Sequence, residues 1–417
     1  MTGHTSTEGN TFKSYPTEPR RMTDEEPTAV ILAAGEGRRL EPLTNRRPKP
    51  MLPVVNEPLL EHVVEAVSAA GIDDIVLVVG YERDRIQTHF GDGDDWGVSI
   101  RYAVQETQLG TAHAVEQARP HVEDSFLVLN GDRIIDPGAV VDVRNALLSG
   151  DDESPDAAMA VARTGQPSTY GVVTLSDDRI VDIVEKPRDV SPSEIINAGV
   201  YGFSPAVFEA IEKTEPGPDG EYGLTDAIGR LIESGRTVRA IKYGGRWLDV
   251  SYLWDLLSVT GQVLDRDGGE TRGTLEEGAR VSDAAHVAET ASIGRNAVVG
   301  RGTTVAENAR IGANATVERA VIFPDATVGP GAVLKDCVVG ANARVGANAT
   351  VPGGEATVVV EGEVHEGVTF GGVVGDNGRV GGGAVLAPGA ILGDEVVVGE
   401  GAIASGTIED RVEIRRG

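Results

Sequence analysis

The chain has little of several things, and each shortage excludes something. Its 417 residues include one cysteine, Cys337, so no intrachain disulfide can form and a thiolate-built zinc site is excluded. A reducing compartment fits that usage. No apolar run approaches the length that spans a bilayer, and the opening residues lack the apolar core of a signal peptide, so a cytoplasmic location is expected. Positive charge is also scarce. Against 65 acidic residues stand 37 basic ones, a formal net charge of -28, with arginine far outnumbering lysine. That balance argues against a general nucleic-acid or anionic-membrane surface. It fits the solvated surface of a halophilic protein in a high-salt cytoplasm, with an ordinary acidic protein as the plainer alternative. Residues 1–27, rich in Thr, Glu, Pro and Ser, hold too little apolar surface to offset their ordering entropy and read as a disordered tail.

What is present is enough for two cores. From Thr28 to Asp265 short apolar runs alternate with amphipathic stretches, the pattern of an α/β domain with a doubly wound, mainly parallel sheet. Beyond Gly150 hairpin-like spacing predicts an antiparallel subdomain lying against that sheet. The first strand, Ala29 to Ala33, runs into a turn with Gly35 and Gly37, where backbone N–H groups can approach a phosphate. Arg38, Arg39, Arg46, Arg47 and Lys49 follow in one loop of an otherwise acidic chain, a cluster suited to a polyphosphate. A Walker loop would need Gly-Lys followed by Ser or Thr, and a dinucleotide fingerprint a third glycine; both fail here. In open sheets ligands lie beyond the carboxyl ends of strands, where Asp132 follows the apolar strand FLVLN. An aspartate there serves either as a turn residue or as a magnesium ligand. Asp249, between Leu248 and Val250, needs a partner, and a metal or a helix amino terminus would each supply one.

Taken in order, these stretches resemble the sugar-1-phosphate nucleotidylyltransferases, the family of glucose-1-phosphate thymidylyl- and uridylyltransferases. The segment AAGEGRRLEPLTNRRPKPMLPV is similar to the family's first motif. The resemblance implies a Rossmann-like nucleotidyltransferase domain over residues 28–265, with Leu32, Ala33, Ala34 and Gly35 at the nucleotide and Arg39 and Lys49 on its phosphates. QETQLGTAHAV resembles the base-recognition segment, placing Gln105, Gly110 and Thr111 against a pyrimidine. Asp132 and Asp249 match the two magnesium-binding acids, so Mg2+ is the implied cofactor. YGVV, VEKP and INAGVY are similar to the sugar-phosphate segments, so Gly171, Glu185, Lys186 and Asn197 would hold the acceptor. Lys186 would join Arg39 and Lys49 in catalysis. EYGLTDAI, from Glu221, is a further family-like stretch.

After an expected linker, residues 266–280, an aliphatic residue recurs every six positions from Val281 through Val287, Ile293, Val299, Val305, Ile311 and Val317. A small or short residue stands four places after each. The frame slips by one at Ile322 and again at Val339, and a later run holds Val374, Val380, Leu386, Leu392 and Val398. A hexapeptide period reads as a parallel β-helix. It resembles the hexapeptide-repeat proteins, which implies a left-handed coil with three faces over residues 281–417, broken at 352–372 by a loop or strand pair. Its exposed ends need a cap or partner, hence an expected homo-oligomer, trimer or higher. Some two-part relatives also acetylate a hexosamine-1-phosphate with acetyl-coenzyme A, but their histidine and Asn-Phe-Gly-Ala-Gly-Thr segments have no match here. His286 and His365 lack the matching neighbours and read as structural or solvated.

The expected activity is transfer of a nucleotidyl group from UTP or dTTP to a sugar-1-phosphate, releasing pyrophosphate and supplying an activated sugar for glycan or cell-surface synthesis. Glucose-1-phosphate and an amino-sugar phosphate both stay open as acceptors. Two other readings stay open with them: a bifunctional enzyme that also acetylates glucosamine-1-phosphate, and a non-catalytic scaffolding relative.

Overall fold

The computed structural model describes residues 26–149, 155–165, 167–187, 193–218 and 220–416. Residues 1–25 of the expected tail lie outside these.

The amino-terminal half is built on one nine-stranded sheet. Its first four strands, in spatial order Ser99–Val104, Asp74–Val79, Ala29–Ala33 and Phe126–Asn130, are all parallel. The inner three are short, nearly continuous apolar runs because helices cover both faces of the sheet, while the edge strand Ser99–Val104 alternates polar and apolar residues. The strands expected to form a separate antiparallel subdomain instead continue the same sheet. Ile195–Phe203 runs antiparallel between Phe126–Asn130 and Ala157–Arg163, and Val238–Lys242, Arg179–Glu185 and Gly171–Ser176 extend the far edge. Hairpin spacing specifies pairing but not which sheet receives the pair. Ile195–Phe203 is almost wholly buried, so it completes the core on both faces rather than lying over one. The helix Pro137–Leu147, additional to the elements expected from the sequence, buries Ala139, Val140, Val143 and Leu147 against one face.

The carboxyl-terminal half is a parallel β-helix. Thr274–Leu275 pairs with Ser292–Ile293, Arg280–Val281 with Val298–Val299, and Ala285–Val287 with Thr303–Val305. Three hexads therefore make one coil of three faces. Residues 266–280 hold the end of the helix Leu253–Asp267 and the first of these strands. The two frame slips have a structural cause: Thr316–Ile322 and Val333–Val339 are continuous strands that pass through a corner, serving two faces at once. Every aliphatic residue of the repeat from Val287 on points into one buried column. At the corners Asn296, Asn308, Asn314, Asn342 and Asn348 take left-handed backbone, which asparagine tolerates better than most residues. Each is followed by a fully or nearly fully buried alanine. The break in the repeat is an antiparallel hairpin, Glu355–Val360 with Glu363–Thr369.

The two halves share a core. Leu40, Leu43 and Leu52 of the basic loop and Leu253, Leu256 and Val263 of the helix Leu253–Asp267 pack against Val321, Phe323, Val338, Phe370 and the hairpin's Ala356, Val358 and Val360.

Candidate active site

The site grows from the carboxyl ends of two neighbouring parallel strands. Leu32 stands opposite Asn130, and beyond them the chain leaves toward the basic loop on one side and toward Gly131 and Asp132 on the other. The sheet order reverses here, which is where open α/β sheets bind ligands. Gly37, at φ 79, lets the loop fold back on itself, since a Cβ there would stand 2.7 Å from Lys49 Cβ. Lys49 is thereby delivered over the strand ends.

A two-stranded ribbon brings the two aspartates together. Arg133–Ile135 pairs antiparallel with Trp247–Asp249, setting Asp249 opposite Arg133 and so beside Asp132. Lys49 Nζ lies 2.7 Å from Asp132 Oδ2 and 3.9 Å from Asp249 Oδ1. Arg133 Nε is 3.7 Å from Asp249 Oδ1, and its guanidinium covers the Trp247 ring at 5.1 Å and the Tyr170 ring at 5.7 Å. Ser251 Oγ donates to Asp249 Oδ2 at 2.5 Å, and the Tyr170 hydroxyl reaches the same oxygen at 3.4 Å. Burial works to raise the Asp132 carboxyl, but Lys49 and Arg133 outweigh it and hold the group below the ordinary range. Burial likewise works against charge on Lys49, and the two aspartates reverse that, raising it. An ionised aspartate and a protonated lysine therefore face each other at neutral pH.

Asp249 does not cap the following helix. Asp255 does, its carboxylate accepting the Ser251 and Tyr252 N–H groups at 3.0 and 2.8 Å, with burial pushing its own titration up to about 6. Asp249 is thus left facing Lys49 and Arg133. The hard carboxylate oxygens of Asp132 and Asp249, already set about one cation, are the donor chemistry that Mg2+ takes, and the pair fits that ion.

Two hollows flank this cluster and share Arg39, Lys49, Thr111, Asn130, Asp132, Lys186 and Glu221. The first, of about 530 Å3, runs from Leu32, Ala34 and Gly35 along the glycine turn to Gln105, Gly110 and Thr111. Ala33 is buried beneath it and does not line it, because alternate residues of a strand face opposite ways. Gln105 is buried, and its amide donates to the Gly110 carbonyl at 3.0 Å. Gly110, at φ 97, sits so close to the Tyr222 carbonyl that a Cβ would stand 2.5 Å from it. The second hollow, of about 720 Å3, is lined by Gly171, Glu185, Asn197 and Asp249. Asn197 is engaged within the fold, donating to the Tyr201 hydroxyl at 2.6 Å and accepting the Gly199 N–H at 2.9 Å. Lys186, in left-handed backbone and half-exposed, reaches both hollows.

Not every cation of the basic loop serves this place. Arg38 pairs with Glu36 at 2.9 Å near solvent. Arg46 bonds Glu395 at 2.6 Å and Asp394 at 3.3 Å, while Arg47 pairs with Asp376 and stacks on Phe323 at 4.9 Å. These two hold the β-helix rather than an anion. Arg133, Tyr170, Ser251 and Glu361 also line the hollows and were missed. Arg133 stands next to Asp132 in the sequence and Ser251 two residues beyond Asp249, a usable signal; Glu361, in a distant hairpin, offered none.

Residues 28–266 match the family model described as nucleotidyl transferase. The chain belongs to that family. Residues 281–409 match a second model, the GMPPB C-terminal domain. Among curated relatives, the bifunctional protein GlmU of Methanococcus maripaludis is 38% identical over 256 residues, 61% of this chain and 58% of that protein. The low-salt glycan biosynthesis nucleotidyltransferase Agl11 of Haloferax volcanii is 39% identical over 255 residues, 60% of this chain and 70% of that protein. A crystal structure of a Bacillus anthracis protein described as a glucose-1-phosphate thymidylyltransferase superposes with a TM-score of 0.52 at 28% identity, over 58% of this chain and 96% of the other. The match thus spans little more than half the length of the GlmU relatives.

Proposed function

We propose that the protein is a sugar-1-phosphate nucleotidylyltransferase that joins a pyrimidine nucleoside triphosphate, UTP or dTTP, to a sugar-1-phosphate and releases pyrophosphate. The observation that carries this reading is the pair of hollows meeting across one cluster of Arg39, Lys49, Asp132 and Lys186. Two phosphate-bearing molecules that must react need such a shared, charge-balanced boundary. The relatives named above support the same reaction class.

In this reading the base enters the hollow at Gln105, Gly110 and Thr111, and its phosphates lie along Gly35 toward Arg39 and Lys49. The acceptor enters at Gly171, Glu185 and Asn197, and Lys186 draws its phosphate to the boundary against the repulsion of two anions. An acceptor phosphate oxygen forms a bond to the α-phosphorus as the bond to pyrophosphate breaks in line. That oxygen is already ionised, so no side chain need remove a proton. Arg39 and Lys49 neutralise the departing pyrophosphate. Mg2+ held by Asp132 and Asp249 supplies charge neutralisation at the phosphates. Tyr170, Ser251 and Arg133 orient Asp249.

The β-helix is proposed as the assembly surface of a homo-oligomer in a salt-rich cytoplasm. Its last coils leave Ile403 70% exposed and Val412 40% exposed, apolar surface that an end cap or a second copy would cover. The test of function is a pyrophosphate-release panel at high salt crossing UTP, dTTP and the purine triphosphates with glucose-1-phosphate and amino-sugar phosphates, with and without magnesium. Release from a pyrimidine pair is expected; a folded protein that releases none from any pair sinks the reading.

A further inference from the structure

The hairpin that interrupts the β-helix ends inside the nucleotide hollow. Val360 pairs with Glu363, so the loop is the two residues Glu361 and Gly362, both left-handed, at φ 48 and 84. Such a loop matches the twist of its strands and favours Asn, Asp or Gly at its first position. A glutamate there costs backbone energy, so a side-chain contact is expected in return. That contact is on the Arg39 guanidinium: Arg39 Nε donates to Glu361 Oε2 at 2.9 Å. Glu361 lines the same hollow as Gly35, Gly37 and Gln105.

The rest of the hairpin is anchored. Ala356, Val358 and Val360 enter the core between the two halves. His365 packs against Tyr252 at 4.6 Å and Trp254 at 5.2 Å, at the start of the helix that follows Asp249. The arm is therefore held along one strand up to Val360, while the turn itself makes a half-exposed ion pair, 42% and 47% accessible on the two sides. Exposed pairs of this kind are weak, and a polyphosphate bearing several charges displaces a single carboxylate.

We propose that the hairpin delivers Glu361 as an internal competitor for the nucleotide's phosphates, holding Arg39 until a triphosphate takes it, so that the β-helix sets the nucleotide affinity of the other half. This rests on the function proposed above. A pair of that strength hides Arg39 for part of the time and weakens apparent nucleotide binding by about two- to five-fold.

The test uses the full-length chain with Glu361→Gln, which keeps size and removes charge, and Glu361→Asn, which also relieves the turn. Calorimetric affinities for magnesium-UTP, magnesium-dTTP and magnesium pyrophosphate are measured at low and high potassium chloride, with melting temperatures confirming folding. Both variants are expected to bind tighter than the parent by about two- to five-fold at low salt, with the difference shrinking at high salt. Equal or weaker binding in Glu361→Gln, or a gain confined to Glu361→Asn, overturns competition while leaving the enzyme reading intact. A parent chain that binds none of the three probes overturns both.

Discussion

Lys49 Nζ lies 2.7 Å from Asp132 Oδ2 and 3.9 Å from Asp249 Oδ1, so one ammonium joins two acids that a ribbon of strands far apart in the sequence brings together. Replacing Asp132 or Asp249 by Ala is expected to leave the fold in place and cut turnover by about 100-fold or more, the scale of removing a principal electrostatic group. Pyrophosphate release beside a melting curve checks this; a variant with the parent's rate removes that aspartate from the site.

The same geometry predicts how a metal and Lys49 trade places in stabilising the two acids. Lys49→Met leaves two carboxylates facing one another, so its melting temperature is expected to fall and to recover with added magnesium more than the parent's rises. Thermal scans with and without magnesium chloride decide it. An equal response in both proteins means Asp132 and Asp249 do not share an ion.

The Arg47 and Asp376 side chains are 12% and 7% exposed, and Asp376 also accepts the Ala341 N–H at 2.8 Å. Arg47→Ala strands that carboxylate and is expected to destabilise the protein by about 3–5 kcal/mol, the usual cost of breaking a buried pair from one side. Adding Asp376→Asn should return part of the loss. Chemical denaturation of the single and double variants measures the coupling; additive effects would mean the pair does not act as a unit.

Asp136 gives a pH dependence. Burial works to raise its carboxyl, but the Arg246 backbone N–H at 2.8 Å, Arg266 at 3.0 Å and the Tyr243 hydroxyl at 3.1 Å hold it below the ordinary range. A carboxyl depressed by folding stabilises fully above its unfolded value near about 4 and loses that contribution as pH falls through the folded value. Asp136→Asn is therefore expected to melt lower at pH 7 and to lose less than the parent on acidification below pH ~4. Parallel slopes for the two proteins would contradict this.

Cys337 is 2% exposed within the β-helix column, and burial pushes its thiol up. A thiol reagent is expected to label it only after unfolding, with the labelling rate following global opening. Fast labelling of the native protein would show that the coil opens locally.

Much of this was written in local pattern. The run Ala29–Ala33 reads as a buried strand because both its faces are covered, and the hexad period reads as a coil because one aliphatic side chain per face must fill a narrow interior. The slips at Ile322 and Val339 were visible in the sequence as breaks of the period, and the structure shows their cause, strands that run through a corner. The sequence alone thus determined the two architectures, the glycine turn that admits an anion, and the identity of the charged residues set beside it.

What it did not determine depends on contacts between segments far apart in the chain. The ribbon joining Asp132 to Asp249 is held by backbone pairing that carries no periodic signal. Arg39, Arg46 and Arg47 look alike in one loop, yet one faces the hollow and Glu361 while two grip Asp376, Asp394 and Glu395 of the β-helix. A charge's role is set by what stands within a few ångströms of it, because Coulomb energy and desolvation fall off over that range. Local sequence supplies the charge, and only the packing of the two halves supplies its partner.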